Sequence, residues 1–251
     1  MPTDALISCR NLTPSGLLND FKGNALDFEL ATGELVNIIG PVYEDKSLWL
    51  KTMCGLNEQA TGEVELLGVN THQLSHTDWA QTRMKVAYVH ADTALLSAAN
   101  GLMNVLAPAI YHRIDEIVSK QLLAERALDL LEEIDPKLNL DDLPAYISED
   151  QRFKIAVARA LMLEPDVLVL DNPFINFDRN VRKDFQNYLN GKIKQGLSIL
   201  MVTQDIRYAL NHSDRIIYVD HENLHIFDSV TDLRHSDIAA ITRYLGQYPD
   251  P

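Results

Sequence analysis

Residues Leu35-Val36-Asn37-Ile38-Ile39-Gly40 form an apolar run that ends in glycine, and just beyond it the periodicity of the chain changes. The run suits a buried strand entering a turn. From Lys46 to Leu56 the residues Leu48, Trp49, Thr52, Met53 and Leu56 recur at spacings of one, three and four, the repeat of a helix face. Strand, loop and helix therefore follow in the order that builds a phosphate site at a helix N-terminus. The stretch leading into the run, Ala25 to Pro41, begins with alternation.

The remaining chain repeats the alternation of element types. Val86-Ala87-Tyr88-Val89 reads as a short strand, and Leu95 to Tyr111 is apolar but interrupted by Asn100, Gly101, Asn104 and Pro108. Asp115 to Ile134 is expected as one long helix, apolar at Ile117, Leu122, Leu123, Ala127, Leu130 and Leu131. Ser148 to Met162 is a further helix, with Ser148 or Asp150 as its cap. Strands Val167 to Leu170 and Leu197 to Val202 flank a helix from Arg179 to Lys194. Strand Ile216 to Val219 and a helix Ser236 to Leu245 complete the pattern. Strands alternating with helices predict an α/β fold with a largely parallel central sheet. The block Asp92 to Ala145 reads as helical throughout and as an inserted subdomain. No internal repeat or low-complexity tract divides the 251 residues, so one domain with a subdomain is expected.

Composition narrows the partners. A net charge of −14 repels nucleic acid and anionic headgroups, so no nucleic-acid partner is expected. Cys9 and Cys54 are too few for a disulfide framework or a structural zinc site and read as two reduced thiols. The opening MPTDALISCRNL lacks a basic region followed by a long apolar core, and no window approaches the run of about 18 apolar residues that spans a bilayer. The expectation is a soluble chain, or one held at a membrane by another subunit without inserting directly.

Gly40-Pro41-Val42-Tyr43-Glu44-Asp45-Lys46-Ser47 keeps the first glycine and the closing Lys-Ser of a Walker A loop, between strand and helix. Further on come Ile147-Ser148-Glu149-Asp150-Gln151-Arg152, Ile155-Ala156-Val157-Ala158-Arg159-Ala160-Leu161 and Pro165-Asp166-Val167-Leu168-Val169-Leu170-Asp171-Asn172-Pro173-Phe174. This string resembles the signature motif, its helix and the Walker B strand of the ATP-binding subunits of ABC transporters. Asn176-Phe177-Asp178 resembles their D-loop and Val202-Thr203-Gln204-Asp205 their H-loop. Five motifs in order span nearly the whole chain. The resemblance implies one nucleotide-binding domain over residues 1–251. It would have a P-loop NTPase core, a small N-terminal antiparallel β subdomain and a helical subdomain at about 92–150. It also implies a head-to-tail dimer with itself or a paralogous ATPase subunit, docked in the cytoplasm under transmembrane subunits.

The departures from that pattern carry chemistry. Tyr43 and Asp45 replace the loop's second and third glycines, with Glu44 between them, so backbone freedom falls and carboxylates arrive where phosphate would sit. One like-charge pair at about 4 Å costs roughly 4 kcal/mol at an effective dielectric near 20, against about 8 kcal/mol for micromolar binding. Carboxylates rotated outward would leave a rearranged loop that still binds. Lys46 could pair with Glu44 or Asp45, or Lys46 and Ser47 could simply be an ordinary first helical turn. Asp171 remains and, with Ser47, would hold magnesium if nucleotide binds. At the family's general-base position stands Asn172, which cannot accept a proton from water, a loss of roughly 10² to 10⁴ in rate. Gln204 replaces the H-loop histidine and cannot become a cation. Ala91 aligns with the Q-loop glutamine, and the neighbouring His90 reads as a surface or packed residue. Thr13-Pro14-Ser15-Gly16 offers no ring on which adenine could stack.

In the signature, Ser148 and Gln151 are kept, but Glu149 and Asp150 replace two glycines. Acidic residues at a helix N-terminus stabilise the helix by about 0.3 to 1 kcal/mol, which is a structural reason for them, and they would also repel ATP. Gly40, Lys46, Ser47, Ser148 and Gln151 are thus the residual nucleotide-site positions, with no catalytic residue intact and no cofactor expected unless the altered site still takes Mg-ATP. The expected function is a pseudo-ATPase subunit that holds or regulates a transporter complex. The alternatives are a slow but genuine ATPase and a soluble interaction module detached from any transporter. Leu95, Leu96, Leu102, Met103, Val105, Leu106 and Ile110 form an apolar segment that either packs the subdomain core or offers a groove to a membrane subunit. Residues Asp92 to Tyr111 look similar to the branch of the family that serves Mce-type lipid trafficking.

Overall fold

The computed structural model describes residues 5–17, 21–42 and 45–248. In chain order the strands are β1 (Ile7–Pro14), β2 (Leu26–Leu30), β3 (Leu35–Ile39), β4 (Gln59–Leu66), β5 (Val69–Asn70), β6 (Val86–Val89), β7 (Val167–Asp171), β8 (Ser198–Val202), β9 (Arg215–Val219) and β10 (Leu224–Phe227). The helices are α1 (Lys46–Met53), α2 (His76–Lys85), α3 (Gly101–Tyr111), α4 (Lys120–Ile134), α5 (Glu149–Leu161), α6 (Arg179–Lys194), α7 (Ile206–His212), α8 (Val230–Arg234) and α9 (Ala239–Leu245).

Two sheets organise these elements. The first is antiparallel, in the order β2-β1-β4-β5. The second runs β10-β9-β3-β8-β7-β6 and is parallel except where β10 pairs antiparallel with β9. Both faces of the second sheet are covered, which is why its strands read as continuous apolar runs. On one face Val36, Ile38, Val167, Val169, Leu200 and Val202 pack with Trp49, Leu50 and the antiparallel sheet. On the other, Leu168, Leu170, Ile199 and Met201 pack with residues of α3, α4, α5 and α6. A smaller cluster joins Ile39, Ile216 and Tyr218 to α7, α8 and α9.

The α/β class, the largely parallel sheet and the N-terminal antiparallel sheet thus stand as expected. Some boundaries do not. The expected long helix from Asp115 starts instead at Lys120, because the Ser119 hydroxyl accepts from the Leu122 N–H and caps it, while Ile114–Glu116 is a separate 3₁₀ turn. The block from Asp92 is not helical throughout. Its segment before α3 is held by the buried Asn104 amide, which accepts from the Leu96 N–H and donates to the carbonyls of Leu96, Ala99 and Asn100. The last helix begins at Ala239, not Ser236.

Candidate functional site

The carboxyl ends of β3, β8 and β7 lie side by side, Ile38 opposite Val202 and Val202 opposite Asp171. This register brings Gly40, Asp171 and Thr203 to one edge of the sheet. Gly40 sits at φ 151°, and a Cβ there would lie 1.9 Å from the Val219 carbonyl oxygen. Only glycine fits this close approach, so its retention has a packing cause.

Beyond Gly40 the chain turns into α1. Tyr43 and Glu44, expected to block the loop, lie outside the described residues. Asp45 is the N-cap of α1 at φ −81° and ψ 60°, and its carboxylate accepts from the Leu48 N–H at 3.2 Å. Helix N-terminal N–H groups have no partner within the helix and suit an anion, and here one of them already holds a carboxylate. Lys46 is buried, and its ammonium donates back to the Pro41 carbonyl.

The Ser47 hydroxyl donates to Asp171 Oδ1 at 2.6 Å. Asp171 is itself buried and accepts twice more, from the Tyr88 hydroxyl on Oδ2 at 3.0 Å and from the Asn172 amide on Oδ1 at 3.0 Å. Three neutral donors therefore satisfy this carboxylate inside the protein. Burial, then the neighbouring Asp171 charge and hydrogen bond, push the Tyr88 phenol far above its usual range, so it stays a donor. Tyr88 was not singled out from the sequence, although a phenol at the end of an otherwise apolar strand is the signal that points to it.

Asn172 adopts φ 52°, a left-handed conformation that asparagine tolerates better than most residues. Its N–H donates to the Val202 carbonyl, while its side-chain Oδ1 is buried without a hydrogen-bond partner among the described residues. Gln204 is exposed at the rim of a cavity of about 240 Å³ that Asn172, Arg182 and Asp205 also line. Asp205 faces Arg182 at 3.5 Å and accepts from Gln186 at 3.0 Å, so its charge is matched locally. His90 is half-buried against the Tyr88 ring, 4.7 Å between centroids, in agreement with a packed residue.

Ser148 and Gln151 lie at the start of α5, and no hydrogen bond joins them to the Gly40–Ser47 loop among the described residues. The Ser148 hydroxyl donates to the Asp150 carboxylate and accepts from no backbone N–H of the helix. Asp150 in turn faces the buried Lys154 ammonium at 3.4 Å, and Glu149 faces Arg152 at 3.5 Å. The acidic residues expected to repel phosphate are both engaged by cations of their own helix. α5 is tied to the loop after β6 by Arg159, which donates to the carbonyls of Thr93 and Ala94 at 2.8 Å each.

The Leu48 N–H is held by Asp45, the Lys46 ammonium turns to Pro41, and both Asp171 oxygens accept protein donors. The residue that follows Asp171 is Asn172, whose amide cannot take a proton from water.

The family model described as ABC transporter matches residues 24–175. The chain is 32% identical over 217 residues to a protein of Methylococcus capsulatus named sulfate/thiosulfate import ATP-binding protein CysA. That match covers 85% of this chain and 60% of that protein. A Chlorella vulgaris protein named as a probable sulfate/thiosulfate import ATP-binding protein is 27% identical, over 88% of this chain and 91% of its own length. Among solved structures, the dimeric post-hydrolysis state of the ATP-binding cassette MJ0796 bound to ADP and Pi superposes with a TM-score of 0.77 at 23% identity. It covers 88% of this chain and 97% of that one. A structure described as the ATP-binding subunit of an ABC transporter gives 0.78 at 20% identity, over 96% and 99%. At these identities the structural likeness speaks to the fold alone.

Proposed function

This chain belongs to the ABC transporter family, and from that premise we propose that it is a cassette subunit that holds or regulates a membrane transporter without turning over ATP. The observation that carries this reading is the closed network at Asp171. Ser47, Tyr88 and Asn172 donate to it, and an amide that cannot act as a base stands at Asn172. Gln204 adds no charge at the third position expected to serve hydrolysis.

The partner surface lies on α3. Val105 is fully buried, and Leu95, Leu102 and Leu106 pack against the core. Leu96, Met103, Ile110 and Tyr111 remain 47% to 73% exposed. Four of the seven apolar residues of the segment thus pack the core, whereas Met103, Ile110 and Tyr111 stand exposed on α3 with Leu96 just before it, and large exposed apolar side chains grouped this way favour a protein partner. We read that partner as a transmembrane subunit, with the cassette at the cytoplasmic side and paired with itself or a paralogous ATPase subunit. The Asp92 to Tyr111 segment favours a lipid-trafficking system of the Mce type. Among the described residues no helix is long and apolar enough to cross a membrane.

A slow ATPase is the competing reading, favoured by the persistence of Lys46, Ser47 and Asp171. Phosphate release by the purified chain with millimolar Mg-ATP separates the two. The proposal expects a rate equal to that of a Lys46→Ala variant, and turnover that depends on Lys46 would establish the slow enzyme.

A further inference from the structure

We propose that Asp45 is a built-in occupant of the anion seat at the N-terminus of α1, so that nucleotide is excluded by self-occupancy and not by loss of the seat. This rests on the reading of the chain as a non-hydrolysing cassette and adds the cause.

The described parts of the seat are in place. Gly40 keeps its close contact with the Val219 carbonyl, α1 begins directly after the loop, and Ser47 remains 2.6 Å from Asp171. The backbone at Asp45 has a negative φ that any residue adopts, so replacing glycine there has not distorted the helix start. What has changed is the ligand. The Asp45 carboxylate reaches the Leu48 N–H, one of the donors that a phosphate oxygen would otherwise take.

The second half of the occupancy is at Asp171. The Tyr88 hydroxyl takes Oδ2 and the Asn172 amide shares Oδ1 with Ser47, so a buried carboxylate that would face a cation has its oxygens occupied by protein hydrogen bonds instead. Anion and cation positions are both filled from within the chain. An incoming Mg-ATP must displace the Asp45 carboxylate while carrying charge of the same sign, and the repulsion works against it throughout.

The test is calorimetric titration with Mg-ATP of three proteins: the natural chain, Asp45→Ser and Asp45→Gly. Serine keeps an N-cap oxygen for α1 and removes only the charge, so its melting temperature should match that of the natural chain even if Asp45→Gly unfolds. Asp45→Ser is expected to bind at least about tenfold more tightly, with saturation below about 1 mM, while the natural chain shows none. Silence of both Asp45→Ser and the natural chain overturns self-occupancy and leaves the non-binding reading in place. Saturable binding by the natural chain, unchanged in Asp45→Ser, overturns both.

Discussion

Lys154 Nζ lies 2.7 Å from Asp135 Oδ2, joining the helix that opens at Ser148 to the end of α4. The lysine side chain is only 6% exposed, Asp150 faces it at 3.4 Å, and the Phe177 ring lies 5.8 Å from its nitrogen. Replacing Lys154 by alanine would leave two carboxylates against an apolar wall, and removing one partner of a buried ion pair costs about 3 kcal/mol. Denaturant unfolding of Lys154→Ala should show that loss. A change within about 0.5 kcal/mol would mean the cluster is not buried as described.

The same pair sets a pH dependence. Burial alone would raise the Asp135 pKa, but the hydrogen bonds from Lys154 and the Lys137 N–H outweigh it and hold it below the usual value. A depressed folded-state pKa gives stability that is fully present above the unfolded value of about 3.9 and is lost as pH falls through the folded one. Unfolding free energy should therefore fall with acidification below about pH 4, and the slope there should be shallower in Asp135→Asn.

Asp171 is expected to behave as a structural residue. In Asp171→Ala the Ser47 and Tyr88 hydroxyls and the Asn172 amide each lose an acceptor, and because all three residues are only half-buried each loss costs about 1 kcal/mol, the low end for an unsatisfied donor. Thermal melting should register a loss of about 2 to 4 kcal/mol in the absence of any nucleotide. An unchanged melt would contradict the closed network.

Restoring the base alone should not restore turnover. Asn172→Glu supplies a carboxylate but places a longer side chain at φ 52°, at a cost of about 1 kcal/mol, and leaves Asp45 in the anion seat. Phosphate release should stay at background. It should rise only when Tyr43→Gly and Asp45→Gly are added to Asn172→Glu.

On α3, Met103→Glu and Ile110→Glu should leave stability within about 0.5 kcal/mol, since both side chains are half in solvent. If α3 is the docking surface proposed above, the same changes should abolish recovery of the chain with a transmembrane partner on purification from membranes. Undiminished recovery would place the docking surface elsewhere.

How much of this was legible in the sequence follows from periodicity. Doubly covered strands such as Val167–Asp171 and Val86–Val89 announce themselves as apolar runs, and α6 appeared with both ends in place because Asp178 caps it and its face is periodic. β1 was not read as a strand, because register shifts after Cys9 and Arg10 break its alternation. α2 was hidden by its polarity, with Thr82 its only fully buried residue. At the site, Asp171, Asn172 and Gln204 were readable from motif order. The Tyr88 hydrogen bond was not, since it depends on β6 lying beside β7. Nor was the engagement of Asp150 by Lys154, which turns an expected repulsive charge into a structural one.

The most direct measurement is calorimetric titration of the natural chain with Mg-ATP to millimolar concentration, with melting temperature followed in parallel. The account predicts no saturable heat and no rise in melting temperature. Saturable binding with a matching thermal shift would contradict it, because a ligand that binds only the folded state must stabilise that state.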